Sequence, residues 1–164
     1  MGKGKSNYLT HIRFLVLDVD GVLTDGGMYY SEAGDEFKKF NTKDGMAIKA
    51  LVKSGMQVAL LSSGINENII RRRANLLGIQ RWYCGPKEKL SVLSDWITEL
   101  SVGLENVAYI GDDVNDLEVI SNVSFSACPA DAVKKVQKEV SVILKNKGGD
   151  ACVREFIEKF LMDI

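Results

Sequence analysis

The sequence predicts an α/β domain built on a doubly wound parallel sheet, and three observations carry that prediction. Short, largely apolar runs at Phe14–Leu17, Gln57–Leu61 and Val107–Ile110 have the length and composition of strands buried on both faces. Segments with helical spacing follow them, over 46–54, 67–77 and 90–100. Each run stops abruptly in polar residues and glycine, at Asp18-Val-Asp20-Gly21, Ser62-Ser63-Gly64 and Gly111-Asp112-Asp113. Alternation of this kind is the pattern of a parallel sheet covered by helices on both faces.

The elements read in order as follows. Residues 1–10 are expected to form an N-terminal arm, with a short docked segment near Tyr8 and Leu9, and 11–164 a single domain. After the first strand, Met28–Tyr30 and Glu36–Phe40 flank the turn-forming cluster Ser31-Glu-Ala-Gly-Asp35, which predicts a β-hairpin. Asn41–Gly45 opens a helix from Met46 to about Ser54, with Gly55 as its stop signal. The strand from Gln57 leads to a helix over 67–77, closed by Gly78, and then to a short strand at Arg81–Cys84. Gly85-Pro86 breaks the chain before the helix at 90–100. Beyond the strand at Val107–Ile110 come a helix to about Ser121, a strand near 124–127, a helix at 131–139, a strand at 142–144 and a closing helix at 151–162.

Composition limits the functional class. With 164 residues, 46% hydrophobic and 26% charged, the chain has the make-up of one globular domain with a real core. A formal net charge of -1 offers no global attraction for nucleic acid or anionic lipid. No apolar run approaches the roughly 18 residues of a membrane span. The three cysteines, Cys84, Cys128 and Cys152, lack metal-type spacing and read as free thiols, which together with the polar start predicts a cytoplasmic protein.

Ligands of open α/β sheets bind outside the carboxyl ends of the strands. Asp18, Asp20, Ser62, Asp112 and Asp113 all stand at such ends, so they converge if their strands are neighbours. Carboxylates gathered in one crevice repel one another and call for a hard cation, and oxygen-only ligands suit Mg²⁺. Ser62 adds a hydroxyl donor and Lys89 a cation at the start of a helix. Carboxylates, Mg²⁺, lysine and hydroxyl together make a site for a phosphoryl group, in which a carboxylate can attack phosphorus.

Asp18-Val-Asp20-Gly21-Val-Leu-Thr24-Asp25, Ser62, Lys89 and Gly111-Asp112-Asp113-x-x-Asp116 resemble, in order, the four motifs of the haloacid dehalogenase superfamily, a Rossmann-like fold. The resemblance implies Asp18 as nucleophile and Asp20 as acid and base. It implies Mg²⁺ held by Asp18, the Asp20 carbonyl and Asp112. Ser62 and Lys89 would bind the phosphoryl group, with Asp113 and Asp116 supporting the metal or the lysine. The segment between Asp20 and Ser62 holds only a hairpin and one helix, and that from Ser62 to Lys89 is shorter still, so the hairpin insertion is expected without a cap domain.

Thr24-Asp25-Gly26, Lys39–Gly45, Asn106–Asp113 and Gly148-Gly149 with Val153-Arg154-Glu155 are further similar to the capless subfamily of 3-deoxy-D-manno-octulosonate 8-phosphate phosphatase. That subfamily also contains 2-keto-3-deoxynononate 9-phosphate phosphatase and phosphatase-like domains attached to acylneuraminate cytidylyltransferases. The resemblance implies a homotetramer in which hairpins assemble and neighbours complete each site. The hairpin aromatics Tyr29, Tyr30, Phe37 and Phe40 are then the candidate intersubunit surface.

The expected substrate is a phosphorylated acidic 3-deoxy-2-keto sugar, foremost the octulosonate 8-phosphate, with the nononate or acylneuraminate 9-phosphate as alternatives. Arg73, within Arg71-Arg72-Arg73, is the candidate for the sugar carboxylate, with Ser63 and Gly64 also at the substrate. The chain departs from its relatives in having Ser62-Ser63-Gly64 where octulosonate enzymes usually show Thr-Gly-Arg, and Asp150 where they tend to carry Arg. Gly64 and Asn75 likewise replace the Glu and Lys of the nononate branch. Two readings of other classes compete: a phospho-acceptor signalling domain, which Asp20 opposes, and a non-catalytic tetramerisation module, which the intact Asp18, Asp20, Lys89 and Asp112 oppose.

Overall fold

The computed structural model describes residues 8–164. The central strand is β1 (Phe14–Leu17), and a two-stranded antiparallel hairpin, β2 (Tyr29–Tyr30) and β3 (Glu36–Phe37), stands apart from the main sheet. On one side of β1 lie β4 (Gln57–Ser62) and then β5 (Arg81–Cys84). On the other lie β6 (Val107–Ile110), β7 (Phe125–Cys128) and β8 (Val142–Ile143). All six pair in parallel.

The register fixes the position of the site. Leu17 pairs with Leu60 of β4 and with Ile110 of β6. Asp18, Ser62 and Asp112 therefore leave the sheet at one edge from three adjacent strands. Alternation along β1 divides the core: Leu15 and Leu17 face one layer, Phe14 and Val16 the other. The first layer is covered by α1 (Thr42–Lys53), α2 (Glu67–Leu77) and α6 (Cys152–Phe160). The second is covered by α3 (Lys89–Leu100), α4 (Leu117–Ile120) and α5 (Lys134–Glu139).

Helix starts differ from the sequence expectation where capping decides them. α1 begins at Thr42 rather than Met46, because Asn41 is extended and its side chain accepts the Lys43 N–H at 2.8 Å. α5 begins at Lys134 rather than Asp131, whose carboxylate instead accepts the Gly148 N–H at 2.9 Å. α6 has no cap from its own segment, since Ala151 sits at φ 64°. The cap comes from α1: the buried Asp44 accepts the Arg154 N–H at 2.8 Å.

Most of the expected arm, residues 1–7, lies outside the described residues. Leu9 is already docked, packed on the core and donating its N–H to the Phe160 carbonyl at 2.8 Å. No cap domain is present among the described residues. In the hairpin, Tyr29, Tyr30 and Phe37 are exposed, together with Met28. Phe40 departs from the expectation for the hairpin aromatics: it packs on its own core beneath the Arg73 guanidinium, 4.7 Å from the ring centroid. Among the described residues the three cysteines are free thiols, and no helix is long and apolar enough to cross a membrane.

Candidate active site

The loop after β1 is shaped by its own side chains. Thr24 is buried, and its hydroxyl accepts the N–H of Gly21 at 3.3 Å and of Gly26 at 3.2 Å. Gly21 adopts φ +91°, and a Cβ there would lie 2.0 Å from Asp112 Oδ2. Only glycine lets the two strand ends approach this closely. From behind, Gly148 touches the same loop, where a Cβ would lie 1.9 Å from the Gly21 carbonyl oxygen.

Lys89, at the first turn of α3, is buried beneath this loop and donates to Asp18 Oδ1 at 2.7 Å and Asp116 Oδ1 at 2.6 Å. Tyr109 donates its hydroxyl to the same Asp116 oxygen at 2.5 Å. Asp116 Oδ2 accepts the backbone N–H groups of Asp112 at 2.8 Å and Asp113 at 3.2 Å. Asp116 is thus a buried hub that orients Lys89 and the loop after β6. Asp113 caps the short 3₁₀ turn that follows, accepting the Val114 N–H at 2.6 Å.

Asp18, Asp112 and Asp116 each bring one carboxylate oxygen within 4.8 Å of the others. Burial pushes the Asp18 carboxyl well above the ordinary range, with the Asp116 charge adding to it and Lys89 opposing. Burial and the Asp116 charge likewise raise Asp112 to about 6. Carboxylates held together against their charge suit a divalent cation with oxygen ligands. Asp116 already engages both oxygens, whereas Asp18 and Asp112 line the cavity. That leaves the latter pair as the carboxylates best placed for an ion.

The cavity above them measures about 460 Å³. Asp20 lines it, and its Oδ1 is 2.5 Å from Lys38 Nζ. Ser62 Oγ lies 3.5 Å from Asp20 Oδ2 and accepts the Gly64 N–H at 3.0 Å. Ser63, Gly64, Asp113 and Asn115 complete one wall, with Asn115 donating to the Ser63 hydroxyl at 3.2 Å. Met28, Tyr30 and Ile65 give the mouth an apolar, exposed rim.

Comparison with known proteins identifies the family. The haloacid dehalogenase-like hydrolase family matches residues 86–157. The chain is 38% identical to the 3-deoxy-D-manno-octulosonate 8-phosphate phosphatase of Escherichia coli K12 over 152 residues, covering 93% of this chain and 80% of that protein. It belongs to that phosphatase family of haloacid dehalogenase-like hydrolases. Two solved structures extend the likeness. The Moraxella catarrhalis phosphatase, in complex with magnesium, phosphate and a KDO molecule, has a TM-score of 0.86 at 32% identity, covering 90% of this chain and 84% of that one. The cobalt-bound Haemophilus influenzae enzyme has a TM-score of 0.85 at 38% identity, covering 90% and 86%.

Within this phosphatase fold, the motif residues Asp18, Asp20, Ser62, Lys89, Asp112, Asp113 and Asp116 gather at one edge of the sheet, and Ser63 and Gly64 line the cavity beside them. The sequence expectation for the metal named Asp20 through its carbonyl; the carboxylate cluster of the structure has Asp116 as its third member. Arg73 is placed elsewhere. It stacks on Phe40, donates to the Asn41 carbonyl at 3.3 Å, faces the charge of Asp44, and is absent from the cavity lining. A guanidinium one helix back finds an aromatic face and a buried carboxylate closer than the cavity.

Sequence reasoning missed Tyr109, Asn115, Glu36 and Lys38. Tyr109 left a signal, because a tyrosine inside a fully buried strand needs a hydroxyl partner. Glu36 and Lys38 left one too: they alternate with Phe37 and Lys39 across a strand whose other face carries the aromatic residue.

Proposed function

We propose that the chain is a Mg²⁺-dependent phosphomonoesterase that works through an aspartyl-phosphate on a phosphorylated acidic 3-deoxy-2-keto sugar, foremost 3-deoxy-D-manno-octulosonate 8-phosphate. The observation that carries this reading is the Asp18–Lys89–Asp116 arrangement, with distances of 2.7 and 2.6 Å, in which Asp18 lines a cavity together with Asp20 and Asp112.

An Asp18 oxygen attacks phosphorus, and the bond from phosphorus to the sugar oxygen breaks. Asp20 gives its proton to that departing oxygen, so the sugar leaves as an alcohol. A water then loses a proton to Asp20 and attacks the aspartyl-phosphate, and the Asp18–phosphorus bond breaks to release phosphate. Lys89 and the Ser62 hydroxyl hold the phosphoryl oxygens. Asp18, the Asp20 carbonyl and Asp112 would hold Mg²⁺, which supplies positive charge to a phosphoryl group whose negative charge grows in transfer. Asp113 and Asp116 set the loop and the lysine.

The exposed Met28, Tyr29, Tyr30 and Phe37 of a hairpin too small to stand alone support assembly into a homotetramer whose neighbours close the mouth. A cytoplasmic location accords with the free thiols. A second reading, with the nononate or acylneuraminate 9-phosphate as substrate, is favoured by one feature: no guanidinium lines the cavity among the described residues.

The test is phosphate release with Mg²⁺ from the octulosonate 8-phosphate, the nononate 9-phosphate and the acylneuraminate 9-phosphate, compared by kcat/KM. The octulosonate ester is expected to lead, and a lead for either 9-phosphate moves the assignment to the second reading. Asp18→Asn is expected to abolish turnover with the fold intact; normal turnover in that variant removes the nucleophile assignment.

A further inference from the structure

We propose that Lys38 is the positioning residue for the proton-transferring carboxylate Asp20, and that the hairpin reaches the chemistry through it. The inference rests on the reading of Asp20 as acid and base given above.

The two-residue period of an extended chain sets up the contact. From β3 onward, Glu36 and Lys38 turn inward and line the cavity, while Phe37 and Lys39 turn outward. The Lys38 side chain is only 6% exposed, against 69% for Lys39. A lysine so covered just past the second strand of a small exposed hairpin is unusual, because long charged side chains ordinarily reach for water. Its ammonium instead lies between two carboxylates, 2.5 Å from Asp20 Oδ1 and 2.7 Å from Glu36 Oε1. Lys38 is the cation that lines the cavity, whereas Lys89 is buried behind it and meets Asp18.

The second Asp20 oxygen meets Ser62 Oγ at 3.5 Å. The carboxylate is therefore gripped from both sides, by Lys38 on Oδ1 and more loosely by Ser62 on Oδ2. A general acid must be aimed at the oxygen it protonates, and a misplacement of about 1 Å can cost on the order of 10²-fold. Lys38 supplies that aim, and Glu36 anchors Lys38 in turn.

The geometry makes a prediction that a purely structural role does not. Removing the grip should slow cleavage of an ester whose leaving alkoxide needs a proton, and should matter much less for an aryl ester whose phenolate leaves without one. Lys38→Met is therefore compared with wild type on the octulosonate 8-phosphate and on p-nitrophenyl phosphate. Leaving-group release is followed in a single turnover with Mg²⁺, so that the hydrolysis step common to both esters drops out. The ratio of the sugar-ester rate to the aryl-ester rate is expected to fall about 10-fold or more. Lys38→Arg, which keeps a cation in reach of Asp20, is expected to recover most of that ratio, and Glu36→Gln to lower it by a smaller factor.

Equal slowing of both esters by Lys38→Met would overturn the positioning role, as would an unchanged single-turnover rate with only a raised KM for the acidic sugar. Wild-type protein that cleaves neither ester would instead count against the phosphatase reading itself, which separates the two failures.

Discussion

Replacing Lys89 by methionine tests whether the floor of the site is an electrostatic unit. Lys89 is 4% exposed and Asp116 is fully buried, with ion pairs of 2.7 Å to Asp18 and 2.6 Å to Asp116. At an effective dielectric constant of about 20, each pair is worth about 6 kcal/mol of gross attraction. The desolvation cost of the carboxylates offsets much of this in the native protein, but it stays behind when the lysine is removed. Methionine keeps the volume and removes the charge, so the expected loss is that of a broken buried pair, about 3–5 kcal/mol. For a domain of this length that is a fall in Tm of roughly 6–20 °C. The assay is thermal and urea unfolding in EDTA, repeated with millimolar Mg²⁺. Two accompanying results identify the cause. Lys89→Met combined with Asp116→Asn should be more stable than Lys89→Met alone, because one orphaned carboxylate is gone. Mg²⁺ should stabilise Lys89→Met more than wild type, since an ion near Asp18 and Asp112 restores positive charge. A loss below about 1 kcal/mol in EDTA, or a double variant no better than the single one, would refute the reasoning.

Gly21→Ala is expected to lower activity at least 10²-fold while the core stays folded, because the new Cβ lies 2.0 Å from Asp112 Oδ2 at a φ of +91°; near-normal kcat/KM would contradict the close packing. EDTA should silence phosphate release and Mg²⁺ restore it, and full activity without metal would count against the Asp18 and Asp112 ligand pair. Asp44 gives a pH-dependent stability: burial, opposed by the backbone N–H groups of Arg154 and Val153, raises it from 3.8 to about 6. An acid raised on folding binds more protons native than unfolded, so wild type should lose stability relative to Asp44→Asn as pH rises from about 4 to about 6, by up to about 3 kcal/mol. Urea titrations of both proteins across that range check it, and a constant difference would contradict it.

Much of the fold was legible because strand runs, stops and motif order are local features. Phe14–Leu17, Arg81–Cys84 and Val107–Ile110 are strands with the expected bounds, and α2 spans the expected 67–77. What escaped was settled by contacts distant in sequence. The start of α6 depends on Asp44, more than a hundred residues earlier, and the start of α5 on Asp131 turning to Gly148. Arg73 followed the same logic. On the page it is one of three consecutive arginines, and only the packing of α2 against α1 shows which of them meets Phe40 and Asp44. Charge runs resist sequence reading for this reason: an element's pitch selects one member, and the neighbouring element selects its partner.

The hairpin links assembly to the active site. Its outward face carries Tyr29 and Phe37, which pair across the two strands and are exposed within one chain, whereas Tyr30 pairs with Glu36 and joins the cavity rim. Its inward face carries Lys38, which meets Asp20, the carboxylate proposed to move the proton, and Glu36, which meets Lys38. A two-stranded ribbon with two residues in each strand has little stability of its own. Covering the outward face with further copies of the chain would fix the ribbon, and with it the position of the Lys38 ammonium against Asp20. Dissociation should therefore cost turnover of the sugar ester before it costs the fold. An aspartate in place of Phe37 makes that separation measurable, since Phe37 is exposed and absent from the cavity lining. Phe37→Asp is expected to shift sedimentation towards monomer, leave the melting of the core nearly unchanged, and lower the sugar-ester to aryl-ester ratio in the same sense as Lys38→Met. A monomer that kept the wild-type ratio would uncouple assembly from Asp20.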